Sequence, residues 1–431
     1  MKVLKHSDKN FSRHLFKLTN AAPLFDDTID RSVQRILNSV RKDGDQALLR
    51  MAKKFDNVVM EKKDLRVTDA NLSEASQNTG KDVIAALKFA HKNIELFHRK
   101  GLRKGWKDKN AQGAVIGEKY DAFERVGVYV PGGTAPLVST ALMTITLAKV
   151  AGCSEICVCT PPGEGGVINS NLLHACQIAG ASEIYRIGGA QAIAAMGYGT
   201  PTICAVQKIF GPGNAYVVAA KRLLFGRVSI DLLPGPSELL VIADSSAKPK
   251  LIASDLLAQA EHGSGQERCW LVTTSEKLMR AVDVEIKKQV ETLSRSCFIK
   301  EVLERNACLI HIKNLNDAVD VANALAPEHC ELMTRGAWRL AKRIVTAGAI
   351  FVGPWSPTVL GDYVAGPSHT LPTGGAGRSF SGLTVDQFQR RTSIVEYSRS
   401  ALEKSVEAVE KIAGMEGLDA HGHSATIRLE K

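Results

Sequence analysis

Four short stretches of this 431-residue chain set His beside Gln, Asp or Glu at spacings that could do chemistry. In LLAQAEHGSG, residues 256–265, Gln259 and His262 stand three apart, just before Gly263. On a helix over 249–262, Asp255, Gln259 and His262 fall at i, i+4 and i+7, which is one polar stripe. Leu256, Leu257 and Ala260 cover the neighbouring face, and Gly263 is placed to end the helix. The last turn exposes carbonyl oxygens and the negative end of the dipole, which favours a cation nearby. An ordinary solvent-facing helix end has the same spelling, and the pattern is not the HExxH of zinc proteases. In NALAPEHCEL, Pro327 drives Ala326 out of helical geometry, so the helix stops and Glu328 and His329 sit where the chain enters the strand CELMT. Adjacent Glu and His can serve as acid and base near neutral pH, although a helix-end His beside a surface Glu reads alike. LGDYVAGPSHTLPT contributes Asp362 and His369; EGLDAHGHS contributes Glu416, His421 and His423. Gln, His, Asp and His together make a plausible N/O donor set for zinc.

These residues depend on the elements that carry them. From residue 124 short apolar runs alternate with helical segments: strands at RVGVYV, EICVCT, EIYRIG and VQKIFG, with the helices LVSTALMTITLAKVAG, NSNLLHACQIAG and AQAIAAMG between them. A second series follows, with strands at ELLVIAD, RCWLVTT, ACLIHI, CELMT and AIFVG. Strands separated by helices imply parallel βαβ units. Pro234, Gly235 and Pro236 mark the join between the two α/β layers. The first 110 residues read as helical, with Val33, Ile36, Leu37 and Val40 on one face. Residues 353–382 form a long Gly/Pro-rich loop of the kind that is usually functional, and two helical segments, about 384–397 and 400–414, follow it. No short internal repeat is visible.

Length alone calls for two or more domains. The reading divides them as 1–123 plus 237–382, a first α/β domain with the N-terminal helices; 124–236, a second α/β domain; and 383–431, a helical tail. The composition, 45% hydrophobic and 23% charged, is that of a soluble globular chain. The start, MKVLKHSDKN, has no apolar signal core, and no run of eighteen apolar residues predicts a membrane span. Nine scattered cysteines, without paired CxxC spacing, read as reduced thiols, mostly buried. A cytoplasmic location fits, as does an organelle stroma. The net charge of +10 lies wholly in the first 110 residues, which hold 24 Lys or Arg against 14 Asp or Glu. Those charges are interleaved with acids and lack stacking aromatics, so a solvated helical face is expected rather than a nucleic-acid surface.

In their order along the chain, GVYVPGGTAPLVST, IGGAQAIAAMGYGT, FGPGNAYV, GPSELLVIAD, DLLAQAEHG, APEHCEL, GDYVAGPSHTLPTGG and EGLDAHGHSATIR resemble the histidinol dehydrogenase family, from about residue 25 to 428. The resemblance implies an α/β fold of two tandem incomplete Rossmann-like parallel-sheet domains, with a helical N-terminal region and a small C-terminal helical tail that packs across a homodimer. It implies oxidation of L-histidinol to L-histidine through L-histidinaldehyde, the last two steps of histidine synthesis, with two NAD reduced. One zinc ion per subunit is implied, held by Gln259, His262, Asp362 and His421 of the partner subunit. The metal would position the substrate, so proximity is its main service. His329 is implied as the general base, and Glu328 as the group that activates water for the aldehyde step. Ser237, His369 and Glu416 are implied substrate contacts; Tyr129, Gln191 and Asn214 are implied NAD contacts. No GxGxxG follows a strand, so the NAD expectation rests on the resemblance. Pro234, Gly377 and Ser379 depart from the family pattern, beside the proposed ligands rather than at them. Three other readings keep parts of this set: a related zinc enzyme acting on another alcohol such as a sulfonated diol, a zinc hydrolase using Glu328, and a nucleic-acid-binding scaffold.

Overall fold

Apolar runs such as ELLVIA at Glu238–Ala243 are buried along their whole length, as strands covered on both faces must be. The computed structural model describes residues 1–19, 26–132 and 136–430. Residue 25, where the family resemblance was expected to begin, and Gly133 to Ala135 of GVYVPGGTAPLVST lie outside the described residues. In chain order the strands are β1 (Lys2–Lys5), β2 (Trp106–Lys109), β3 (Val115–Ala122), β4 (Arg125–Tyr129), β5 (Glu155–Thr160), β6 (Glu183–Arg186) and β7 (Lys208–Phe210). They continue as β8 (Ser229–Ile230), β9 (Glu238–Ala243), β10 (Arg268–Thr273), β11 (Ala307–His311), β12 (His329–Met333), β13 (Ala349–Val352) and β14 (Gln389–Glu396).

Two sheets are wholly parallel. One runs β6-β5-β4-β7-β8, and the other β1-β11-β10-β9-β12-β13. Counted from β4 and from β9, both units follow the order third, second, first, fourth, fifth. That is the dinucleotide-fold order without its last strand, so both are incomplete Rossmann sheets. The repeat that the sequence hides is therefore present in the topology. β1 extends the second sheet beside β11, in the register Lys2 to Cys308 and Lys5 to His311.

Helices cover both faces of each sheet. On the first sheet, Ala90 and Ile94 of the helix Lys81–Arg99 pack with the helix Val138–Ala151, while Val33, Leu37 and Val40 of Asp27–Asp43 pack on the opposite face with Gly189–Tyr198 and Ala215–Leu224. The sequence reading grouped these N-terminal helices with 237–382, whereas they bury their apolar stripes on the sheet of 124–236. An amphipathic period shows which face is buried but not which sheet receives it. Of the described N-terminal residues, β1 and the helix Phe11–Thr19 join the second sheet, through Leu4, Phe11, Leu15 and Leu18. The packing favours a division into 26–236 and 1–19 plus 237–382, with the tail apart.

The segment 384–397, expected to be helical, instead contains β14, which pairs antiparallel with β3 in a three-stranded sheet completed by β2. Thr392, Ile394 and Val395 are β-branched and favour the extended chain. The rest of the tail is helical, at Arg399–Glu403, Val406–Glu416 and Asp419–Thr426. Inside the Gly/Pro-rich loop the helix Thr358–Tyr363 forms, its first amide held at 2.7 Å by Glu331 Oε1. All nine cysteines are free, and seven are buried. No helix among the described residues is long and apolar enough to cross a membrane.

Candidate active site

A cleft of about 360 Å³ lies where the two parallel sheets meet. From the first sheet it takes Leu137, Ser139 and Thr140, at the start of the helix after β4, and Pro212 and Gly213 after β7. β4 and β7 are neighbours whose connections run opposite ways, which is the switch point where open α/β sheets bind ligands. From the second sheet the cleft takes Ser237, Glu328 and His329, at the amino ends of β9 and β12. The two sheets thus meet the cleft with opposite ends.

Glu328 and His329 occupy this position because the chain cannot continue as a helix. Ala326 caps the helix Leu315–Leu325 in the left-handed region, with φ 48°, as the following proline requires it to leave the helical basin. The pair is buried, at 7% and 4% exposure. Glu328 Oε2 accepts from Ser237 Oγ and from the Glu238 amide at 2.8 Å, and lies 3.5 Å from His329 Nδ1. His329 Nδ1 also lies 3.1 Å from the Glu238 carbonyl, which can only accept, so Nδ1 carries a proton. Its Nε2 faces Asp362 Oδ1 at 3.7 Å. Burial opposes the charge on His329, but Glu328 and Asp362 outweigh it and lift the imidazole to about 9. Burial likewise pushes Glu328 up, and His329, Ser237 and the Glu238 amide bring it below the usual range. The resting pair is carboxylate and imidazolium.

The polar stripe of the opening motif turns out to be buried for most of its length. Asp255 and Gln259 are 8% and 3% exposed, and the stripe opens only at His262. His262 Nδ1 lies 2.9 Å from the Gln259 carbonyl and must donate to it, leaving Nε2 as the free lone pair. His262 and Asp362 line the same cleft, and Gln259 Nε2 is buried without a partner. An unpartnered carboxamide, a free imidazole nitrogen and a carboxylate are a donor set that fits zinc, with the amide oxygen turned inward. His369 joins from the loop, where its Nε2 lies 3.1 Å from Thr140 Oγ1 and so ties the loop to the first sheet.

Tyr129, Gln191 and Asn214 stand along the carboxyl edge of the first sheet. Tyr129 ends β4, and its hydroxyl accepts the Gly189 amide at 3.0 Å. Gln191 is buried in the first turn of the helix Gly189–Tyr198. Asn214 caps the helix Ala215–Leu224 by accepting from Tyr216 and Val217, and is exposed. Glu416 and His421 are exposed on the tail; His421 lines a separate groove with Tyr397, Arg399 and Arg428. Within one subunit, no group of three or more His, Cys, Asp or Glu among the described residues is gathered to hold a metal. Sequence reading missed Glu238, buried beside Glu328 and raised to about 7 by burial first and Glu328 second. It also missed that Asp255 faces Glu331, since a lone carboxylate in a strand carries no motif. Gly377, one departure from the family pattern, has a local reason: a Cβ there would stand 2.1 Å from the Thr346 carbonyl oxygen. Nothing in the structure explains Ser379.

Two incomplete Rossmann-type parallel sheets with a buried Glu–His pair between them define a two-domain α/β protein with a ligand cleft at the sheet junction. A model of the histidinol dehydrogenase family matches residues 21–429. A histidinol dehydrogenase of Heliobacterium mobile is 44% identical over 408 residues, covering 95% of both chains. One of Bacillus cereus is 41% identical over 431 residues, covering 100% of both. The crystal structure of histidinol dehydrogenase from Elizabethkingia anophelis superposes with a TM-score of 0.94 at 34% identity, over 100% of this chain and 98% of that one. An acetylating aldehyde dehydrogenase from Geobacillus thermoglucosidasius, at 14% identity and a TM-score of 0.51, shares the fold alone. The chain belongs to the histidinol dehydrogenase family and is an oxidoreductase.

Proposed function

We propose that this chain oxidises L-histidinol to L-histidine through L-histidinaldehyde, giving a hydride to NAD at each of two steps. The observation that carries the reading is the buried Glu328–His329 pair at the floor of the inter-sheet cleft, in a chain of this family. His329 takes the hydroxyl proton through Nε2, the ring nitrogen left by the Glu238 carbonyl. To do so it must first be neutral. Glu328 sustains the imidazolium more than Asp362 does, and engagement of Asp362 by a metal would remove part of that support and bring His329 down toward the operating pH. Glu328 then accepts a proton from the water that attacks the aldehyde, and the hydrate loses the second hydride. One water enters, and two hydrides and two protons leave, which balances the change from alcohol to acid.

Zinc, one per subunit, would be held by Gln259, His262, Asp362 and His421 of the partner subunit, and supplies positioning of the substrate's imidazole and amino groups. Ser237 and His369 contact the substrate from within the cleft, and Glu416 of the tail is the third substrate contact. NAD would lie along Tyr129, Gln191 and Asn214, at the switch-point edge. The tail's exposed Ile412, Met415 and Leu418, with Met415 80% accessible, support its docking on a second copy. We assign a cytoplasmic place to the enzyme.

The test is NADH formed per L-histidinol consumed, by purified protein with excess NAD. Two NADH per substrate is expected. One would stop the reaction at the aldehyde and remove the role of Glu328. None would remove the substrate or the cofactor from the reading.

A further inference from the structure

Two buried carboxyl groups lie next to the catalytic pair without taking part in the chemistry. Asp255 sits on the helix Pro249–Ala260, one turn before Gln259; Glu331 sits on β12, two residues beyond His329. They are 8% and 1% exposed, and the two carboxyl groups are near enough that Asp255 helps to raise Glu331. Glu331 Oε1 is engaged by the Thr358 amide at 2.7 Å. Glu331 Oε2 has no N–H or hydroxyl partner. Burial and the repulsion between two neighbouring carboxylates favour one proton shared by the pair.

The pair stands between two elements. Asp255 belongs to the helix that ends in Gln259 and His262, and Glu331 holds the first amide of the helix Thr358–Tyr363, which carries Asp362. We propose that Asp255 and Glu331 form a carboxyl clamp that fixes the spacing between Gln259 and His262 on one helix and Asp362 on the other. The clamp consists of positioning residues, and it rests on the assignment of those three side chains as metal ligands. Partners behind ligands of this kind set their orientation, and losing one costs about 10–100-fold in metal affinity.

The test uses the full chain, stripped with a chelator and titrated with zinc by calorimetry, with thermal unfolding of the metal-free protein followed in parallel. Glu331→Gln keeps an acceptor for Thr358 and gives Asp255 an N–H, so it should bind zinc within about 3-fold of the parent, well inside the loss expected when such a partner is removed. Glu331→Leu should bind about 10–100-fold more weakly. Asp255→Leu combined with Glu331→Leu removes the buried acids together, which is often tolerated by the fold. Its unfolding temperature should recover towards the parent while its zinc affinity stays low. Parent-like affinity in the folded double variant overturns the clamp, as does a Gln variant as weak as the Leu variant. Gln259→Ala is the control for the underlying assignment. Unchanged zinc affinity there overturns the ligand set, whereas loss there with parent-like 255/331 variants overturns the clamp alone.

Discussion

A buried carboxylate finds most of its hydrogen bonds in the protein, and Glu328 finds Ser237, the Glu238 amide and the His329 imidazolium. Those donors hold an anion in place, as the proposed proton transfer requires. Glu328→Gln keeps the shape and loses the base, so zinc content and the first oxidation should persist. Turnover of histidinaldehyde should drop by about 10²–10⁴ in single-turnover assays, and an unchanged aldehyde rate would remove Glu328 from that step. Away from the cleft, His98 makes a cleaner titration. It is 2% exposed, and burial drives it down to about 4, against a smaller opposing effect of a Gly366 backbone bond. A His with a depressed folded value stabilises fully above its unfolded value near 6.5, and that stability is lost as pH falls toward 4. The loss is roughly 3 kcal/mol at most. His98→Gln should flatten the corresponding part of a stability-against-pH curve between pH 6.5 and 4. The position of Glu328 and His329 between a helix and a strand was legible in the sequence because Pro327 fixes where the helix must stop. Asp255 and Glu331 were not, because 76 residues separate two carboxylates that only folding brings together.

At the scale of elements, the turn after β7 shows how a cleft wall is kept rigid. Lys221 and Asp231 form an ion pair with both side chains fully buried. Lys221 also donates to the Gly211 carbonyl at 2.9 Å, while Asp231 accepts the Gly211 amide at 2.7 Å. Both sides of Gly211 are therefore pinned just before Pro212 and Gly213, which line the cleft. Lys221→Met would strand Asp231 as a buried, unpaired charge, at a cost of about 3–5 kcal/mol. A denaturant midpoint close to the parent's would show that the pair contributes little. Most strands of the two parallel sheets could be read as apolar runs, since burial on both faces leaves a continuous signature. β14 could not: its sequence QRRTSIVE is charged and half-exposed, and a partner 267 positions upstream, with Gln389 opposite Ala122, decides its conformation. The destination of the N-terminal helices was hidden for a related reason, since two similar sheets offer equivalent apolar faces.

For the whole molecule, the proposal that His421 of the partner subunit completes the site predicts complementation. His262→Asn and His421→Asn subunits should each be inactive and lose zinc on elemental analysis. Mixed after dissociation, they should regain about a quarter of parental activity, because half the dimers are hybrid and each hybrid holds one intact site. No recovery, or full zinc in His421→Asn alone, would count against a shared site. Two domains with alternating strands and helices were visible in the sequence, but their identical strand order was not, because topology is set by contacts rather than by motifs. β1 carries a consequence for the order in which these domains are made. Its partner β11 ends 306 residues later, which at cellular synthesis rates of 5–20 residues per second is about 15–60 s of translation. The first α/β unit, with all its helices already emerged by residue 236, can fold on the ribosome during that interval. The strand at Lys2–Lys5 must wait beyond it as an unpaired edge, and its two lysines are the kind of charges that keep a waiting edge from pairing with a neighbouring nascent chain.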